Sequence, residues 1–302
     1  MNAPSRPAII AAFATIYLVW GSTYLGIRVA VETMPPFLMA AVRFFIAGGL
    51  LFTFLRFRGA ALPTARQWRA NAIIGTLLLL GGNGAVVWAE QFVPSGITAL
   101  LVGIGPLFIV LTEWAWPGGL RPTVPTFAAL LLGFAGVVWL AAPWQNFAHG
   151  GLHLGGCLAI LAGCFFWGIG SITSRHAQHG SPPAMAAALQ MIGGGGALLI
   201  VAGVTGDFSQ FDIHAVSARS WGAFAYLIVI GSLVGFSTFV WLMKNCPPAQ
   251  VATYGYVNPI VAVILGWLLL DEPIASRTLV AAAIIVAAVA IITVQKTPPA
   301  RA

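Results

Sequence analysis

A stretch near the start of the chain returns later with its landmarks in register, and no other feature constrains the fold as tightly. At a shift of 147 residues, Trp20-Gly21 falls on Trp167-Gly168, Arg28 on Arg175, Pro35-Pro36 on Pro182-Pro183, Ala40-Ala41 on Ala187-Ala188 and Gly48-Gly49 on Gly195-Gly196. A shift of 153 then aligns Trp68 with Trp221, Val87-Trp88 with Val240-Trp241, Pro94 with Pro247, Pro106 with Pro259 and Trp114 with Trp267. A short insertion in the second copy explains the change of shift. The chain reads as two copies of one unit, residues 1–148 and 149–302.

The solvent for that unit follows from composition. Hydrophobic residues make up 59% of the chain and charged residues 7%, against about 25% charged in a soluble domain. This is the composition of an integral membrane protein. Apolar runs of the length that crosses the hydrocarbon as a helix can be marked at 8–30, 37–56, 70–91, 96–116, 123–143, 152–175, 183–204, 220–243, 249–270 and 276–295. The breaks between them carry turn residues, such as Met34-Pro35-Pro36 and Ser181-Pro182-Pro183. The expected fold is an all-α polytopic membrane protein of ten transmembrane helices. The N-terminal run is far longer than a signal-peptide core and reads as a retained first span.

The net charge of +7 would suggest nucleic acid in a soluble chain, but here the bases sort by membrane side. Arg56, Arg58, Arg66 and Arg69 flank the connection between the second and third spans, which places that loop and both termini in the cytoplasm. Arg6, Arg121, Arg175, Lys244, Lys296 and Arg301 then fall on the same side, and Glu32, Glu90, Asp207, Asp212, Asp271 and Glu272 on the other. Five spans per copy is an odd number, so the second copy enters the membrane from the opposite face. Inverted repeats of this kind are a recurring plan of secondary transporters, with the site at the repeat interface.

The doubled order of these pieces resembles the EamA-type transporters of the drug/metabolite transporter superfamily. The likeness is carried by Trp20-Gly21-Ser22, by Arg43, by Ala99 to Pro106, and by the counterparts Trp167-Gly168, Ala252 to Pro259 and Asp271-Glu272-Pro273. One departure is Gly119, which stands in the first copy where the second has Glu272. The resemblance implies a central cavity lined by spans one to four and six to nine, with the fifth and tenth peripheral. It also implies transport of small metabolites, including amino-acid export of the YddG type, as well as sugars and drugs.

Several residues could carry that work. Trp20, Ser22 and Tyr24 lie in the first span, Asn83, Trp88 and Glu90 in the third, Trp167 and Ser171 in the sixth, and Tyr254, Tyr256 and Asn258 in the ninth. Flat aromatic surface with a few hydrogen-bonding groups suits an amphipathic solute such as a neutral or aromatic amino acid, taken with broad specificity. Pro106 and Pro259 remove an amide hydrogen deep in the fourth and ninth spans, leaving the carbonyls of Val102 and Gly255 without helical partners. Arg43 lies within a span, where an unpaired charge costs a few kcal/mol or more, so it should face the interior. It could meet a substrate carboxylate. Its repeat mate Gln190 is also polar, which favours an interhelical hydrogen bond shared by both halves. Glu90 is the foremost candidate for a proton-responsive carboxylate, with Glu113 of similar rank.

The expected function is therefore a secondary transporter of the inner membrane that exports small metabolites by alternating access, with the lipid bilayer as its environment. Export of drugs or sugars is the alternative. A passive channel stays open, and a membrane enzyme is disfavoured because neither His-Glu-x-x-His nor Gly-x-Ser-x-Gly occurs. No cofactor, metal or nucleic acid is expected. His149/His153 and His176/His179 lack a cysteine or carboxylate alongside, and Cys157 and Cys164 sit about 10 Å apart along one helix, too far for a disulfide. The oligomeric state is left open, a monomer being compatible with everything above.

Overall fold

The structure is a computed structural model that describes residues 4–93, 98, 101–141, 153–177, 180–270 and 276–294. These residues are helical, with no strand among them. Six helices are long and apolar enough to cross a membrane: α1 (Arg6–Val31), α2 (Pro36–Phe57), α3 (Ala65–Ala89), α6 (Leu154–His176), α7 (Pro183–Thr205) and α8 (Ala218–Asn245). Shorter apolar helices follow the same plan: α4 (Gly105–Ala115), α5 (Val124–Ala141), α9 (Tyr254–Leu270) and α10 (Ser276–Val294).

Local chemistry starts and stops these helices. Pro36 and Pro183 occupy the first helical position of α2 and α7, where the missing N–H would have had no helical partner anyway. Thr64 and Gln67 close a reciprocal capping box on α3. Gly206, at φ +82°, ends α7 in the left-handed conformation that L side chains avoid.

Two helices widen in the middle. α3 is π-helical over Thr76–Gly84 and α8 over Leu227–Phe236. Both stretches are glycine-rich, with Gly81, Gly82 and Gly84 in one and Gly231 and Gly235 in the other. The fourth and ninth spans, expected to break at Pro106 and Pro259, are interrupted a few residues ahead of those prolines instead. The chain turns at residues 103–104 before α4 begins, and a short helix Pro248–Ala252 ends at Thr253 before α9. Pro106 thus sits in the first turn of α4, where it breaks nothing, and only Pro259 lies inside a helix. The first part of the fourth span, residues 94–97 and 99–100, falls outside the described residues, as do His149, His179, Asp271 and Glu272.

Packing between the copies is reciprocal. A Cβ on Gly48 would stand 2.9 Å from the carbonyl of Ala188 and the amide of Ile192, and one on Gly195 would stand 3.0 Å from the amide of Phe45 and 3.1 Å from the carbonyl of Ala41. Shifted by 147, Ala41 and Phe45 are Ala188 and Ile192. The same exchange recurs twice more. Gly21 lies against Val261 while Gly168 lies against Phe108, and Gly82 lies against the Trp167 ring while Gly235 lies against Trp20. Small residues let these backbones approach, which is how helices associate where lipid removes the hydrophobic drive between them. Outside this core, α5 packs on α10, and the Tyr256 hydroxyl donates to the Leu130 carbonyl at 2.8 Å.

A central cavity as the candidate functional site

Inside the bundle lies a cavity reached by residues of seven segments. α1 supplies Trp20, Thr23, Tyr24 and Ile27; α2 supplies Arg43 and Phe44; α3 supplies Leu79, Gly82, Asn83 and Val86. The fourth span adds Val102, Gly105 and Pro106, α6 adds Gly163, Cys164 and Trp167, α8 adds Gly231 and Phe236, and α9 adds Tyr254, Gly255 and Asn258. No carboxylate lines it among the described residues.

Aromatic rings form one wall. Trp20 meets Tyr254 edge-on with centroids 4.9 Å apart, Trp167 edge-on at 5.6 Å and Phe239 at 5.1 Å. The seat for each indole is a glycine of a widened helix, Gly235 under Trp20 and Gly82 under Trp167. A methyl group at either glycine would sit about where the ring now packs. Polar groups are few. The Asn258 amide, oriented so that its nitrogen donates, bonds the carbonyls of Tyr254 at 3.0 Å and Tyr17 at 3.2 Å. These carbonyls lie beside the break at Thr253, whose hydroxyl pairs with the Tyr17 hydroxyl at 2.6 Å. Asn83 Oδ1 is buried without a protein partner.

The structure divides the fourteen candidate positions of the sequence. Trp20, Tyr24, Arg43, Asn83, Pro106, Trp167, Tyr254 and Asn258 line the cavity; Ser22, Trp88, Glu90, Ser171, Tyr256 and Pro259 are not among the lining residues. The Ser22 hydroxyl pairs with Tyr226 and the Val19 carbonyl. Ser171 donates back to the Trp167 carbonyl at 2.6 Å. Trp88 packs edge-on against Phe92 and His153. Glu90 follows the end of α3, within electrostatic reach of Arg28 and Tyr24.

Arg43 and Gln190, for which the sequence favours an interhelical hydrogen bond in both halves, each bond a helix other than their own. Arg43 Nε donates to Ser232 Oγ of α8 at 2.8 Å. Gln190 donates instead to Asn71 of α3 at 3.1 Å and Ser174 of α6 at 3.0 Å. Each mate therefore bonds a helix of the other copy, second span to eighth and seventh to third.

A second polar cluster, not singled out from sequence, closes one end of the bundle. Glu113, 4% exposed, accepts from His176 at 2.9 Å, lies 3.8 Å from Arg175 and caps the Leu120 amide. Trp116 stacks on the His176 ring at 5.3 Å. Arg175 donates to the carbonyls of Met243 and Cys246 at 2.8 and 2.5 Å, and Lys244 donates to those of Arg175 and Ala177. The ends of α4, α6 and α8 are thereby tied together. The sequence offered Glu113 as a candidate proton-responsive carboxylate and put Arg175 and Lys244 on one membrane side, but it showed no carboxylate beside His176; the fold supplies one in Glu113.

An all-helical bundle with membrane-crossing helices and a central, mostly apolar cavity defines the class: a polytopic membrane protein built to hold a small molecule within it. The chain belongs to the EamA-like transporter family, whose model matches residues 7–142 and again 154–294. It is 35% identical over 299 residues to the uncharacterized inner membrane transporter YedA of Escherichia coli K12, covering 95% of this chain and 91% of that one. It is 25% identical over 293 residues to the uncharacterized transporter YvbV of Bacillus subtilis, covering 95% and 92%. A solved crystal structure superposes with a TM-score of 0.78 over 96% of this chain and 98% of the other. At 22% identity that likeness shows the fold alone.

Proposed function

We propose that this membrane transporter exports neutral and aromatic amino acids by alternating access. It does so from two inverted five-helix halves, residues 1–148 and 149–302, in the inner membrane with both termini cytoplasmic. The observation that carries the reading is the cavity itself: both copies line it, its walls are aromatic, and Trp20 and Trp167 meet between them. The reciprocal glycine contacts support a two-fold relation between the halves, since in such an interface residue i meets j where j meets i. The Glu113 cluster supports a closed cytoplasmic end, because it joins three helix ends below the aromatic wall. Alternating access then requires this cluster to part when the opposite end closes.

Counterflow in liposomes tests the reading. The purified protein is reconstituted and given radiolabelled phenylalanine, leucine and threonine, a hexose and a cationic drug, with and without a proton gradient. Saturable counterflow of the amino acids is expected, at comparable rates for several of them. Counterflow of the sugar or drug alone overturns the substrate class, and flux that never saturates overturns the carrier.

A further inference from the structure

We infer that Arg43 receives a carboxylate of the transported solute, so that the cavity selects organic acids and amino acids over analogues in which that carboxylate is replaced by an amide. The inference rests on the reading above that the cavity is the transport site, and it names the group the solute must carry.

Arg43 is 3% exposed and lines the cavity. Its side chain is only partly used. Nε donates to Ser232 Oγ at 2.8 Å, and the guanidinium carbon lies 4.6 Å from the Phe44 ring centroid. Nη1 is buried without any hydrogen-bond partner. The residue is in no ion pair, and no acid lines the cavity among the described residues. A buried guanidinium in that setting is a charge awaiting an anion, because charges leave water only when paired or hydrogen-bonded. The room around it is made by Gly231, where a Cβ would stand 2.9 Å from Nη2.

The mate position supplies an independent argument. Gln190 joins its helix to two others with a neutral amide. Packing at this point of the fold is thus achieved without a cation, and the charge on Arg43 is surplus to it. One guanidinium in an otherwise neutral lining matches a single carboxylate, which it can grip with planar, charge-assisted hydrogen bonds. A doubly charged phosphate would be left half neutralised.

The test compares acids with amides of the same skeleton. Binding of phenylalanine, leucine, phenylacetate and hexanoate, each beside its primary amide, is followed in purified protein by tryptophan fluorescence and by thermal shift. Each acid should bind at least about tenfold tighter than its amide. Arg43→Gln should bring that ratio close to one, and Arg43→Lys should keep part of it. Should Arg43→Gln not fold, the parent ratio and the lysine variant decide. Amides that bind the parent as tightly as acids overturn the inference, as does a ratio that survives Arg43→Gln or a parent that binds none of the acids. The two readings fail separately. Counterflow of amino acids without preference for the acid sinks the Arg43 assignment alone, whereas Arg43-dependent binding of phenylacetate without amino-acid counterflow sinks the amino-acid substrate alone.

Discussion

Gly48 and Gly195 hold matching places in the two family-matched segments and touch matching partners, whereas Arg43 and Gln190, also mates, differ in charge and in what they leave unpaired. The difference separates two kinds of constraint. Backbone approach depends on shape alone, so it is the same in both copies. Polar chemistry facing a cavity answers to a solute that need not share the protein's symmetry, and the copies diverge there. The Glu113 cluster is a further divergence: it draws Glu113 and Trp116 from the first segment, Arg175, His176, Lys244 and Cys246 from the second, and ties one end only.

The largest effects should come from breaking the shared part. Gly48→Leu and Gly195→Leu each force a branched side chain into contacts already near 3 Å, and overpacking costs about 1–3 kcal/mol or more. Both should lose folded yield and melting temperature alike in detergent. A variant that leaves one site stable and not the other shows that the reciprocity is geometric but not energetic.

Next is the one-sided cluster. Glu113→Gln removes the carboxylate that meets Arg175 and His176, at a cost of roughly 1–3 kcal/mol. The buried thiol of Cys246, whose carbonyl accepts from Arg175, should then react with maleimide several-fold faster in a background lacking Cys157. An unchanged rate would mean that the cluster does not hold this end shut.

Smaller again is Gln190→Leu, which gives up two interhelical hydrogen bonds; such bonds in membranes average about 0.6 kcal/mol each. Stability should fall by about 1 kcal/mol and transport should persist, in contrast with Arg43→Gln. Loss of transport with stability intact would erase the distinction between the mates.

The smallest effect separates the prolines. Pro106→Ala changes a first-turn residue and should leave melting temperature and transport rate near the parent values. Pro259→Ala restores a hydrogen bond inside α9 and should raise stability slightly while slowing counterflow. Equal rates in the two variants would return both prolines to packing.

Much of this architecture was legible because apolar runs and duplicated landmarks record helices and symmetry directly. The facing of individual residues was legible only in part. Trp20 and Tyr24 are four apart and share a face, while Ser22 between them points away; Tyr254 and Tyr256, two apart, likewise divide between the cavity and buried packing against α5. That division follows from the helical period and could have been drawn from it. The widened turns of α3 and α8 could not, because a π stretch shifts the phase of all that follows and has no composition of its own beyond extra glycine. The Glu113 cluster was hidden for another reason: its members lie far apart in sequence and meet only once the fold is formed.

The reciprocity of the glycine contacts has a consequence for ancestry. A surface whose glycine meets, on its partner, the counterparts of the two positions three and seven residues before that glycine is self-complementary, so each half carries most of its own docking partner. A single half made alone should pair with a second copy of itself in antiparallel orientation. Fusion of the halves into one chain would then have freed the two copies of position 43 to become arginine in one and, at 190, glutamine in the other. Expression of residues 1–148 alone, with cross-linking at the Ala41 and Phe45 positions, would reveal such a pair or exclude it.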